Sequence, residues 1–218
     1  MAEDWRSRWE EGRTGWHEAG GNSALREYWP TPGNGKSVLV PLCGKSPDLL
    51  WLAQQGYEVT GVELSEIAVH AFFEESGLEY RTRDEGEYRV LESPESNITL
   101  VCGDYFDFES HPFDALYDRA SLIALPQDLR PRYIHQTKSL LKPGAEQLLI
   151  TLEYDQSKAD GPPFSVLADE VTDYWNNIEL ISAHNAIDNT PPKFREAGIT
   201  EVTESVWISK QSSGIDCL

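Results

Sequence analysis

The sequence predicts an α/β fold with a mostly parallel sheet covered by helices on both faces, and three observations predict it. From Lys36 onward, short apolar and β-branched runs alternate with stretches of helical length and amphipathic pattern, as in a parallel sheet whose crossovers are helices. Seven such strand-like runs follow one another. Acids and turn formers fall just after the early runs, at the carboxyl ends where open α/β sheets collect their ligands.

Each element has its own justification. Ser37–Leu42 is an unbroken apolar run and reads as the first strand. A helix opens at Ser46 or Asp48, runs through Gln55 and is closed by Gly56, and Tyr57–Val62 is the second strand. Ser65 caps a helix that passes through Phe72 and Phe73 towards Gly77. Residues 79 to 97 are polar and ambiguous, an irregular or hairpin-like insertion. Ile98–Cys102 and Phe113–Tyr117 are strands three and four. A helix from about Gln127 to Leu141 then meets the stop signal Lys142-Pro143-Gly144, and Gln147–Tyr154 is strand five. Ser165 or Asp169 opens a helix reaching Trp175. Ile178–Ala183 and Val202–Ile208 complete the seven, expected as an antiparallel pair at one edge.

The first 35 residues differ, with Trp5, Trp9, Trp16 and Trp29 interleaved with charges. Trp5 and Trp9 are four apart and share one face of a helix. Asn22 suits the cap of a second helix that ends near Trp29, before Pro30 and Pro32. One domain spanning 1–218 is expected, with 1–35 an appended N-terminal segment and 36–218 the core.

Composition narrows the function. With 18 Lys and Arg against 37 Asp and Glu, the formal charge is −19, so nucleic acid and anionic membranes are poor partners. No run of about 18 apolar residues occurs, and Met1-Ala2-Glu3-Asp4 lacks the basic and apolar order of a secretory leader. A cytoplasmic monomer acting on a small molecule is expected. Cys43, Cys102 and Cys217 lack paired spacing, and the five histidines form no ligand pattern, so neither disulfide nor metal is expected.

Four features share the ligand edge. Pro41-Leu42-Cys43-Gly44-Lys45-Ser46 follows strand one and has too few glycines to cradle a pyrophosphate, which argues against a dinucleotide and suits a phosphate-free nucleoside. Glu63 lies 19 residues beyond Gly44, the spacing of a ribose-binding acid, although an acid opening a helix explains it equally. Asp104 can face an adenine with Tyr105 or Phe106 on its plane, or serve as an ordinary turn acid. Arg119 ends a buried strand and should meet a carboxylate, either a ligand's or that of Asp118. Trp5, Trp9 and Trp16 either staple the N-terminal segment to the core or form an aromatic lid over a cation. Gly161-Pro162-Pro163-Phe164 either holds Phe164 against a substrate or is a simple turn.

Trp5-Arg6-Ser7-Arg8-Trp9, Gly15-Trp16-His17, Val40 to Ser46, Gly61-Val62-Glu63-Leu64-Ser65, Tyr117-Asp118-Arg119-Ala120 and Gly161 to Phe164 occur together and in order. In this the chain resembles the thiopurine S-methyltransferase family. The resemblance implies a Rossmann-like class I methyltransferase with an N-terminal helical lid and S-adenosylmethionine as cofactor. It also implies that Trp9, Leu42, Glu63 and Arg119 contact the cofactor, with Asp104 and Tyr105 on its adenine side; Trp5 and Gly44 join the same wall. Trp16 stands where the family usually has phenylalanine against the substrate, and Phe164 is the second substrate candidate. Arg195 is the residue of the last third that merits inspection.

The implied reaction is in-line methyl transfer to a thiol, a thiopurine-like heterocycle, or a selenium or tellurium species. Thiols ionise appreciably near neutral pH, so no obligate base is expected; Arg119 positions, and Cys43 is a buried filler. Transfer to halide, hydrogen sulfide or methanethiol is the nearest alternative, and cofactor binding without turnover is the other.

Overall fold

The computed structural model describes residues 5–14, 17–30 and 32–210. The N-terminal segment forms α1 (Trp5–Glu10) and α2 (Ser23–Tyr28) ahead of the first strand, β1 (Ser37–Pro41). Asn22 caps α2, accepting from the backbone N–H groups of Ala24 and Leu25 at 2.9 and 3.3 Å. Then come α3 (Asp48–Gln54), β2 (Glu58–Glu63), α4 (Glu66–Ser76), β3 (Arg81–Glu85), β4 (Tyr88–Ser93), β5 (Ile98–Cys102) and β6 (Phe113–Arg119). The chain continues with α5 (Arg130–Ser139), β7 (Leu141–Glu153), α6 (Ala168–Tyr174), β8 (Ile178–Asn185), α7 (Lys193–Glu196) and β9 (Thr203–Ser209).

One sheet takes the order β3-β4-β5-β2-β1-β6-β7-β9-β8, so the expected seven strands become nine. Strands β1, β2, β5, β6 and β7 run parallel, and β7-β9-β8 closes one edge in antiparallel fashion as expected. The two additional strands are the β3-β4 hairpin, laid antiparallel on β5 from within the ambiguous 79–97 stretch. All five residues of β3 are exposed, so no alternation of apolar and polar residues marks it.

Strand alternation builds a core on each face. Val38, Val40, Tyr117, Leu148 and Val206 join α2, α3 and α4 on one side. Leu39, Leu116, Leu149 and Trp207 join α5 and α6 on the other. Two boundaries differ from expectation. Helix α5 begins at Arg130, which puts Pro131 in its first turn, where the missing N–H is harmless. Lys142-Pro143-Gly144 follows the helix as part of β7, in an irregular stretch whose register against β6 shifts between Phe113 and Ala115.

This topology locates the crevice. From β1 the sheet extends through β2 on one side and through β6 on the other, so the turn after β1 opens at the point where the strand order reverses.

Candidate active site

The backbone is strained where β1 and β6 end. Among the described residues four non-glycine residues have positive φ; Asn34 and Asn97 are of a type that tolerates it, whereas Leu42 (φ 45°) and Ala120 (φ 61°) are not. Both line the same cavity, and such strain persists where surrounding structure enforces it. Between them Ser121 Oγ donates to the Pro41 carbonyl at 2.7 Å, tying the end of β6 to the end of β1. Gly44 (φ 55°) completes the turn, and a Cβ there would lie 3.2 Å from Trp9 Cζ2. The buried Trp9 ring therefore closes directly on the turn, bringing α1 to the ligand edge.

Glu63 is 6 % exposed and uses both carboxylate oxygens, accepting from Gly44 N at 2.9 Å and Ser65 N at 2.8 Å. Burial raises its pKa above the ordinary value, while the backbone N–H groups oppose that shift. The Glu63 carbonyl accepts from Gly103 N at 2.9 Å, so this one residue joins the loops after β1, β2 and β5. Asp104 behaves as a turn acid, accepting from Phe106 N at 2.9 Å, yet it also lies on the cavity wall. Tyr105 lines the cavity but sends its hydroxyl into the core, 2.9 Å from Thr137 Oγ1.

Arg119 does meet a carboxylate, but that of Glu18 in the N-terminal segment, 2.5 Å from Nη2, and not that of its neighbour. Asp118 points into the core, where Tyr133 Oη donates to it at 2.7 Å and burial pushes its pKa up to about 6. Strand alternation explains the difference, since adjacent residues face opposite sides of the sheet. Cys43 is buried under Gly61, and burial pushes its thiol well above the usual range, as befits a filler. Phe164 does not reach the cavity: its ring folds over Gly161, leaving no room for a side chain there, and Pro162 and Pro163 line the wall in its place. Arg195 pairs with Asp188 at the surface, while Lys193 two residues earlier lines the cavity. Trp16 lies outside the described residues.

Together these elements line a cavity of about 940 Å³, with Trp5 and Trp9 of α1, Lys193 of α7 and Glu204 of β9 on its wall. A nucleoside-sized ligand and a second small molecule fit such a volume. Its lining combines the apolar Leu125, Leu129, Leu152, Pro162 and Pro163 with the polar His17, Glu18, His184, Lys193 and Glu204. Sequence reasoning missed most of these polar residues. Their one local signal is Glu204 of β9, a charge at the same parity as the buried Val202 and Val206.

A family profile described as thiopurine S-methyltransferase matches residues 1–212. A thiopurine S-methyltransferase of Pseudomonas syringae pv. tomato is 43 % identical over 216 residues, covering 95 % of this chain and 96 % of the relative. One from Photobacterium profundum is 44 % identical over 211 residues, covering 95 % and 97 %. Among solved structures, the Burkholderia thailandensis 1,6-didemethyltoxoflavin-N1-methyltransferase with S-adenosylhomocysteine bound superposes with a TM-score of 0.61 at 18 % identity, covering 95 % of this chain and 86 % of that one. An arsenic(III) S-adenosylmethionine methyltransferase from Chlamydomonas reinhardtii gives 0.59 at 14 % identity, covering 88 % and 71 %. At that identity the structural likeness speaks for the fold.

Proposed function

The chain belongs to the thiopurine S-methyltransferase family, and from that premise we propose how its cavity is divided and which acceptor it takes. The protein is an S-adenosylmethionine-dependent S-methyltransferase acting on a small molecule. Trp5, Trp9, Leu42, Gly44, Glu63, Asp104 and Tyr105 hold the cofactor, and Arg119 stands at the junction with the acceptor. The buried Glu63 carboxylate on the cavity wall carries this reading. Two backbone donors fix its orientation, and its remaining lone pairs can accept from the two hydroxyls of a ribose. The turn beside it demands no phosphate, since Lys45 is paired with Glu75.

When bound, the cofactor supplies an electrophilic methyl group on a sulfonium centre. The Trp5 and Trp9 rings exclude water and present π faces that favour a cation. Glu63 and the strained Leu42–Gly44 turn set the orientation for in-line attack. The Cys43 thiol, buried and held protonated, takes no part.

The acceptor is a soft nucleophile, and the apolar residues of the lining support an aromatic or heterocyclic thiol over a halide or hydrogen sulfide, which would leave that surface unfilled. Small selenium and tellurium species remain within the same chemistry. We propose further that one domain does this as a monomer in the cytoplasm, without nucleic acid. The charge of −19 supports the last point, and no described helix is long and apolar enough to cross a membrane. Incubation with methyl-labelled S-adenosylmethionine and a panel of heterocyclic thiols, selenite, tellurite and iodide tests the assignment. Label is expected first in the heterocyclic thiols; label confined to iodide would overturn it.

A further inference from the structure

The acceptor end of the cavity holds an ionisable group that the fold itself does not use. Strand β9 places Glu204 on the wall, opposite Leu152 of β7 and His184 of β8 in the strand register. Its side chain is 23 % exposed, and its ion-pair contact is His184 Nε2 at 3.7 Å. Among the described residues no hydrogen bond reaches its carboxylate. A partly buried carboxylate on a cavity wall, with no protein donor among the described residues, is open to a hydrogen bond from a ligand.

Its surroundings fix which ligand. The charges that act on it are His184 of β8, Glu18 of the N-terminal segment and Arg119 of β6, while His17 and Lys193 line the same cavity. Arg119 is already paired with Glu18. Burial, reinforced by Glu18 and opposed by His184 and Arg119, leaves the pKa of Glu204 above the ordinary carboxylate value. A carboxylate with no protein donor accepts from a ligand only where the ligand carries a hydrogen, which favours an acceptor that arrives neutral and bearing an acidic hydrogen.

We propose that Glu204 is the proton acceptor for the methyl acceptor, which enters as a neutral thiol or as a heterocyclic thione carrying a ring N–H. This rests on the acceptor class inferred above. The S–H or N–H bond breaks and its proton passes to Glu204. The electron pair it leaves makes the acceptor sulfur the nucleophile for the new S–CH₃ bond. The donor's S–CH₃ bond releases its pair to the departing thioether, and Glu204 later returns the proton to water.

The test compares two acceptors: 6-mercaptopurine, largely neutral below its thiol pKa, and pentafluorothiophenolate, ionised throughout. In Glu204→Gln, kcat/KM for 6-mercaptopurine should fall roughly hundredfold or more, the usual contribution of a positioned base, while that for pentafluorothiophenolate stays within about twofold of wild type. Wild-type kcat/KM for 6-mercaptopurine should rise with pH as Glu204 deprotonates, above the usual carboxylate range, and this limb should vanish in Glu204→Gln. Calorimetric affinity of the cofactor-free protein for 6-mercaptopurine should weaken about tenfold in Glu204→Ala, as expected for losing a hydrogen bond to a charged group. Affinity for S-adenosylhomocysteine should not change in any variant, and Glu204→Asp should recover part of the lost rate. An equal loss with both acceptors, or no loss with either, overturns the proposal. A wild type that binds S-adenosylhomocysteine but methylates neither acceptor overturns the acceptor class and this inference with it.

Discussion

Glu63 shows how much a single side chain can organise, since its carboxylate and carbonyl hold the amides of Gly44, Ser65 and Gly103 from three different loops. Glu63→Gln keeps the shape but turns an NH₂ group towards one of those amides. Hydrogen bonds to charged groups are worth roughly 1.5–3 kcal/mol, so the dissociation constant for S-adenosylhomocysteine should rise about tenfold or more. Calorimetry measures this, and an unchanged constant would return Glu63 to being an acid that opens a helix. Asp118 makes a prediction about pH. Its folded pKa of about 6 lies above the ordinary aspartate value of 3.8, so the native state binds more protons than the unfolded chain in that interval. The stability this contributes is full below the unfolded value and is lost as pH rises through about 6. Asp118→Asn should flatten the decline between about pH 4 and 6 in urea unfolding; an unaltered profile would contradict that assignment.

At the scale of elements, the β3-β4 hairpin reaches the site through one contact. Tyr88 of β4 lies over Gly103, where a Cβ would stand 2.2 Å from its ring, and its hydroxyl donates to the Asp104 carbonyl at 3.1 Å. Gly103→Ala must displace that ring, and overpacking of this kind costs roughly 1–3 kcal/mol. Urea unfolding should register the loss, and retained stability would mean that the hairpin yields freely. This hairpin is also where the sequence was least legible. Strands β1, β2, β5, β6 and β7 announce themselves because burial on two faces demands continuous apolar runs. The exposed β3 obeys no such demand, so its pairing with β4 at the sheet edge is set by tertiary context. The site divides in the same way. Glu63 ends β2 and Asp104 follows β5, so both could be placed by counting along the chain. The Glu18–Arg119 pair spans 101 positions, and the Glu204–His184 contact needs the β8-β9 register, neither of which leaves a local trace. Phe164 illustrates the reverse error: a residue adjacent to two cavity-lining prolines whose own ring turns back onto Gly161.

At the scale of the whole molecule, the acidic surface and the crevice are separate properties. A charge of −19 on 218 residues repels itself, and salt screens that repulsion over a Debye length of about 10 Å at 0.1 M. The melting temperature should therefore rise as sodium chloride increases from about 0.05 to about 0.5 M. A fall would show that attractive ion pairs outweigh the excess of like charge. The crevice depends instead on topology: the sheet order reverses beside β1, the turn there is strained into a wall, and α1 closes Trp9 upon it. That this crevice is a cofactor site feeding a thiol is the central claim. Its most direct test is calorimetric titration of the purified protein with S-adenosylhomocysteine, followed by transfer of labelled methyl from S-adenosylmethionine to a heterocyclic thiol. One-to-one binding that Glu63→Gln weakens, with label appearing on the acceptor sulfur, is the predicted result; no binding heat and no label would contradict it.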